Sequence, residues 1–323
     1  MHPEASTSDS SDSSVHNSID KLPVVETPYS IVLGALFITG GFLANTVQGA
    51  LGKIAQETMA PGQFLWILLL IALAVLLPTT YWSNKQENDV KNLINTLERD
   101  NLFFLLGRAV FGLCGFYLFI WAAGLGSLVD ATVLLNTTPV FIPVIGVLVL
   151  NKQISGKLWL AIALGFIGLI LVVQPDASLL QNPANLIGLG AGLSAAVEFL
   201  IVRHLSQTLS PSQQTISYLL LASVLIAPIA LYQWQPLTIR QLEIIAAAAG
   251  SFLVFQLLLV KAYSLAEPHQ IGVFQYSSVI FAALIDWLLF TEFPNRTTLL
   301  GIVLISVGGV LSIYLERTPE QIS

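Results

Sequence analysis

At 323 residues the chain is 55% hydrophobic and only 10% charged, with a mean hydropathy of +0.78 and a formal net charge of −6. A soluble domain carries about a quarter charged residues, so these figures exclude an ordinary soluble enzyme or nucleic-acid-binding module and indicate a polytopic α-helical membrane protein. The single cysteine, Cys114, excludes an intramolecular disulfide and a cysteine-based metal site.

Residues 1–28 are polar and rich in Ser and Asp. They lack the basic start and apolar core of a signal peptide and hold too little apolar surface to order themselves. A disordered tail is expected, with His2 and His16 as tail residues and not metal ligands. Ten apolar segments follow, at 29–54, 63–81, 102–124, 128–150, 158–173, 186–204, 215–232, 242–265, 271–290 and 299–315. Their lengths suit a hydrocarbon core that takes ~17–25 helical residues to cross. The charged loop 82–101 is expected to hold a short surface helix at 90–97, and residues 316–323 form a polar tail.

The chain repeats itself. Residues 108–174 slide forward 140 positions onto 248–314 with about fourteen of 67 pairs identical, Ala122/Ala262, Phe141/Phe281 and Gly168/Gly308 among them. Leu33-Gly34-Ala35 aligns with Leu189-Gly190-Ala191 at a spacing of 156. Two five-segment units result, 29–173 and 186–315. Five is odd, so the second enters the membrane from the opposite side, giving the inverted repeat of many secondary transporters. With the N-terminus inside, nine Lys and Arg fall at cytoplasmic ends and three (Lys53, Arg240, Arg296) outside. That bias places both termini in the cytoplasm.

Arg108-Ala109, Trp121-Ala122-Ala123-Gly124-Leu125, Asp130-Ala131-Thr132, Thr138-Pro139-Val140-Phe141 and Gly165-Phe166-Ile167-Gly168 occur in that order, echoed by Ala262-Tyr263-Ser264-Leu265, Phe290-Thr291-Glu292 and Gly308-Gly309. This pattern resembles the EamA repeat of the drug/metabolite transporter superfamily. The resemblance implies an all-α bundle of ten transmembrane helices, no cofactor and a bacterial inner membrane. It also implies a central substrate cavity lined by segments one, three, four, six, eight and nine. Two departures stand out: Lys152 occupies a position where the family usually has Glu, as Glu292 does in the second half, and Val279 replaces the counterpart of Pro139.

Ionisable groups in hydrocarbon cost several kcal/mol unless paired or hydrated, so each is a candidate for pathway chemistry. At 1.5 Å per residue, Arg108 lies about 9 Å and Glu198 about 12 Å from the cytoplasmic face. They are expected to face one cavity and pair, directly or through substrate. The alternatives are a static bridge between two helices, or an Arg108 that snorkels to the interface. Lys53 and Asp286, both toward the outer side, are a candidate gate pair, or each reaches outer water separately. Asn45, Gln48, Asn136, Gln256, Tyr263, Gln275 and Tyr276 are candidate substrate-binding residues on the implied cavity helices, with interhelical hydrogen bonding as the alternative for each. Asp130 suits a helix N-terminus. Pro139 and Pro143 are expected to kink segment four and free carbonyls near the midplane. Gly40, Gly41, Gly112, Gly115, Gly165 and Gly168 are read as packing contacts.

A secondary transporter of a small organic metabolite (amino acid-, vitamin- or nucleoside-like) working by alternating access is the first functional reading. No Gly-Lys-Ser/Thr triplet is present, so the chain has no P-loop. A proton taken up by Glu198 is the candidate coupling ion, membrane lipids are expected partners, nucleic acid is not, and a homodimer stays open. A flippase for a lipid-linked carrier is an alternative on the same fold. An intramembrane enzyme would need a catalytic cluster, yet His2, His16, His204 and His269 all lie in the tail or at helix ends.

Overall fold

The computed structural model describes residues 28–82, 99–125, 128–149, 151, 153–175, 185–290 and 295–316. These form helices α1 (Pro28–Gln56), α2 (Pro61–Trp82), α3 (Arg99–Leu125), α4 (Leu128–Leu135), α5 (Thr138–Leu148), α6 (Gly156–Val173), α7 (Asn185–Leu205), α8 (Pro211–Tyr232), α9 (Ile239–Leu265), α10 (Pro268–Ile271), α11 (Ser277–Phe290) and α12 (Arg296–Glu316), with a 3-10 stretch at Gly272–Tyr276. Among the described residues there is no strand. Among the described residues nine spans meet the length and hydropathy of a membrane crossing, the two-part fourth (α4–α5) among them, and the broken ninth (α10 through α11) makes ten. Residues 1–27, the helix expected at 90–97, Lys152, Glu292 and the side chains of Asp130 and Asp286 lie outside the described residues.

The packing obeys a twofold exchange. α1 lies against α9 and α3 against α7; α2 pairs with α8 and α6 with α12. Exchanging each segment with the one five places on maps the first two pairs onto each other and the last two onto themselves. The same relation holds residue by residue where α6 crosses α12. An ideal Cβ on Gly168 would stand 2.7 Å from the Gly301 carbonyl oxygen, and one on Gly308 would stand 2.8 Å from that of Ala161. Moving 140 positions carries Gly168 to Gly308 and Ala161 to Gly301, so each contact is the mate of the other. Hydrocarbon gives apolar faces no reason to associate, so close backbone approach at small residues supplies the packing energy. Outward faces are apolar, with Leu36, Phe103, Val224 and Val310 exposed, as a lipid-facing surface requires.

Segment four departs from a kinked helix with free carbonyls. It stops at Leu135 and restarts at Thr138, and carbonyls at the break accept from the side chains of the break itself. Asn136 Nδ2 donates to the Thr132 carbonyl at 2.9 Å, Thr137 Oγ1 to Leu134 at 2.5 Å, and Thr138 Oγ1 to Leu135 at 2.7 Å and Gly192 at 3.1 Å. Pro139 has no N–H to offer the Leu135 carbonyl four residues back, and the Thr138 hydroxyl takes that place. Segment nine also differs. It starts at Pro268, where Glu267 and Gln270 form a capping box, and tightens to 3-10 from Gly272 to Tyr276. The tighter turn shifts Gln275 out of α-helical register with Val279 and Ala282.

The two ends are held by different chemistry. Away from the termini, neutral groups join the α1–α2 link to the α8–α9 link: Gln63 Nε2 donates to the Gln235 carbonyl at 2.6 Å and Gln241 Nε2 to Thr58 Oγ1 at 2.9 Å. At the end that carries the termini, Arg203 Nε donates to Glu267 Oε1 at 3.1 Å and its Nη1 to the Tyr263 carbonyl at 2.8 Å. The glycine crossing makes a direct test of the packing. Gly168→Leu is expected to lower stability by about 1–3 kcal/mol through overpacking, read as an earlier midpoint in thermal unfolding of the detergent-solubilised protein, whereas Gly156→Leu, where a Cβ meets nothing within 4 Å, leaves the midpoint in place.

Candidate functional site

α3 meets α7 along Gly107, Gly112 and Gly115. A Cβ on Gly112 would stand 3.2 Å from the Glu198 carboxyl carbon and both its oxygens. The missing side chain one turn after Arg108 therefore lets the carboxylate lie against α3. Gly112 makes room for a charged group as well as for a helix.

Arg108 is fully buried, at 0% exposure. Its Nη1 donates to the Gln214 carbonyl at 3.1 Å and to Gln214 Oε1 at 2.9 Å, and Nη2 donates to Gln256 Oε1 at 2.8 Å. The guanidinium carbon sits 4.6 Å from the centre of the Tyr218 ring, within cation–π range. Nε lies 3.9 Å from Glu198 Oε1, a charge contact too long for a hydrogen bond. Arg108 belongs to the first half of the chain; Glu198, Gln214, Tyr218 and Gln256 all belong to the second. The cluster thus sits on the seam between the two halves.

The other sequence candidates fall in several places. Gln256 joins the cluster. Tyr263 is fully buried beside it on α9, its ring 5.5 Å from that of Phe199 and its hydroxyl without a partner among the described residues. Asn45 and Gln48 continue the inward stripe of α1 that includes Ile31, Ala35, Ile38 and Phe42. Those four are buried, whereas Asn45 and Gln48 are half-exposed, and the stripe closes again at Gly52 and Ala55. The bundle interior is accordingly less filled at Asn45 and Gln48. Asn136 caps its own helix. Gln275 Oε1 and the Tyr276 hydroxyl are buried without partners among the described residues, but Tyr276 packs with Leu169, Val273 and Ile305 in a separate apolar cluster, its ring over Gly165. Lys53 is exposed, and the Asp286 side chain lies outside the described residues. Trp121 faces outward at 58% exposure, a lipid contact.

Sequence reasoning missed Gln214 and Tyr218. A hydropathy window starts segment seven at Thr215, yet α8 begins at Pro211 under a capping box of Ser210 and Gln213. Ser-Pro-Ser-Gln at 210–213 was the signal, a cap residue, proline at the first helical position and glutamine at the third. It brings Gln214 into the helix, facing Arg108.

A family model described as the EamA-like transporter family matches residues 32–174 and again 182–314. The chain belongs to the EamA-like transporter family. It is an integral membrane transporter of the drug/metabolite superfamily and not an enzyme. Similar members include the S-adenosylmethionine uptake transporter of Rickettsia bellii, 24% identical over 90% of this chain and 95% of that protein. The pseudopaline exporter CntI of Pseudomonas aeruginosa is 26% identical over 69% and 78% of the two chains. The riboflavin transporter of Vibrio cholerae is 27% identical over 66% and 73%. A crystal structure with a TM-score of 0.72, 14% identical, covers 89% of this chain and 99% of its own, so the two share a fold.

Arg108→Ala is expected to destabilise the protein by about 3–5 kcal/mol, since it leaves Glu198 buried without its counter-charge. Glu198→Gln keeps the three Arg108 hydrogen bonds and is expected to cost less. Thermal unfolding of both variants in detergent measures the order; equal midpoints contradict it.

Proposed function

We propose that the chain is a secondary transporter that moves a small organic metabolite, amino acid-, vitamin- or nucleoside-like, by alternating access across a bacterial inner membrane. Both termini are on the cytoplasmic side in this reading, by the distribution of Lys and Arg. The observation that carries it is the Arg108 cluster. A fixed charge buried in a membrane bundle is costly, and here every partner of that charge lies across the seam between two inverted halves. In transporters of this architecture the seam is where substrate is held and about which the halves rock. The relatives' names support the class: S-adenosylmethionine, pseudopaline and riboflavin are different organic metabolites, taken up by one protein and exported by another.

In this proposal Arg108, Glu198 and Gln256 form the charged centre of the path and Tyr263 lies beside it. Asn45 and Gln48 line its less filled part. Asn136, Gln275 and Tyr276, at the breaks in segments four and nine, come into reach as those segments move. Glu198 takes the coupling proton. Lys53, exposed on α1, and Asp286, on the adjoining α11, form the outer gate.

Uptake of labelled amino acids, vitamins and nucleosides into liposomes holding the purified chain tests the reading. Saturable, ATP-independent uptake of one of them is expected, reduced tenfold or more in Arg108→Ala and Glu198→Ala; full uptake by both variants would confine the pair to a structural role. With a proton gradient imposed, Glu198→Gln is expected to lose the pH dependence of the wild type, and an unchanged profile removes Glu198 as the proton carrier. For the gate, Lys53→Asp is expected to impair uptake and the added Asp286→Lys to restore it. Failure of the double exchange to recover any uptake counts against the pair.

A further inference from the structure

The Arg108 cluster is incomplete at one point. Both terminal nitrogens are bonded, yet the Nε–H, buried with the rest of the side chain, has no partner among the described residues. Glu198 Oε1 faces it at 3.9 Å, and no described residue donates a hydrogen bond to that carboxylate. The donor has given up water without gaining this acceptor as a hydrogen-bond partner. The gap is built in. Gln214 and Gln256 hold the guanidinium from one side, and Gly112 seats the carboxylate on the other. Glu198 retains 11% side-chain exposure while Arg108 has none, so the approach to the gap is over the carboxylate.

The chemistry that fits is narrow. A group here must donate to Glu198 and accept from Arg108 Nε at the same time. A carboxylate would set its charge against Glu198; an ammonium would face the guanidinium and leave the Nε–H unsatisfied. In H–N–C=O or H–N–C=N the two heteroatoms stand about 2.2 Å apart, from the bond lengths of a conjugated amide. Two hydrogen bonds of about 2.8 Å from such a pair reach atoms separated by the observed 3.9 Å with only a slight outward splay. The ring that lies against the guanidinium is that of Tyr218, and two phenylalanines next in sequence to members of the cluster pack with a third. Phe199 follows Glu198 and Phe255 precedes Gln256, and their rings lie 6.4 and 5.5 Å from that of Phe42.

We propose that Glu198 and the Arg108 Nε–H form a clamp that reads the lactam or amino-imine edge of a flat nitrogen heterocycle. The clamp is a specificity element of the transport path proposed above and rests on that reading. It admits a neutral edge and refuses a charged one. A substrate can carry charge elsewhere, but the part read here is a ring face with a donor beside an acceptor.

Binding to the purified full-length protein in detergent tests this, followed by intrinsic tryptophan fluorescence and by thermal shift. The ligands are adenosine and inosine, compared with N6,N6-dimethyladenosine and 1-methylinosine, in which no N–H is left on the edge. The parent nucleosides are expected to bind at least tenfold more tightly than their methylated forms. Glu198→Leu, which removes the acceptor, is expected to bring that ratio to about one. Glu198→Gln keeps an oxygen in place with less perturbation of the fold and is expected to retain only part of the ratio, since a charged acceptor makes the stronger bond. Equal binding of parent and methylated forms by the wild type overturns the clamp, as does binding of neither, or an undiminished ratio in both variants. Binding is read on solubilised protein and transport in liposomes, so the two failures are separable: uptake of amino acids with no nucleoside binding removes the clamp alone.

Discussion

Burial of the Arg108 guanidinium is the constraint on which the interior depends. A group that stays protonated in proteins is held without any exposed surface in a bundle that lies in lipid. Water cannot solvate it there, so the protein must. Gln214 does so twice, once with its side chain and once with its main chain; Gln256 does so once; the Tyr218 ring lies beneath it. Each of these partners stands on a helix of the opposite half, so the halves cannot separate at this level without stripping a cation. The fixed charge therefore couples the geometry of the seam to the chemistry within it.

Around that seam the backbone is close to symmetric and the side chains are not. The glycine crossing of α6 and α12 obeys the twofold relation contact by contact. The Arg108–Glu198 contact does not: moving 140 positions from Arg108 gives Ala248, and moving back 156 from Glu198 gives Phe42, both apolar and buried. The positions related to the charge pair hold an alanine and a phenylalanine. The two breaks diverge in the same way. In segment four the polar side chains of the break serve their own backbone, whereas in segment nine Gln275, Tyr276 and Ser277 keep buried atoms without partners among the described residues.

What the sequence disclosed follows from what the bilayer enforces. Span number, span length and the repeat are legible because hydrocarbon thickness and backbone hydrogen bonding leave few alternatives. Arg108 and Glu198 could be matched because depth along a helix is simple arithmetic. Azimuth is harder. Tyr276 and Gln256 look alike as polar residues on implied cavity helices, yet one packs over Gly165 and the other binds Arg108, and one chain's residue order does not say which way each points. Gln214 stayed hidden because a hydropathy threshold ignores caps, although Ser210 and Pro211 mark the true start of α8. The 3-10 turn in segment nine has no strong sequence mark of its own. Pro268 and Gly272 bracket it, but the close approach of Ile142 and Pro139 to Gly272 belongs to tertiary packing.

The presence of a charge pair at one set of positions and of alanine and phenylalanine at the related set has a thermodynamic corollary. Two halves with interchangeable interiors would visit mirror-image end states with equal weight, and an unloaded carrier would idle evenly between them. Under the alternating-access proposal, one end state rearranges ionic contacts and the other only hydrocarbon contacts, so their free energies differ before any solute arrives. On the alternating-access proposal the empty protein has a preferred resting orientation, set by which of the two related positions carries the charges.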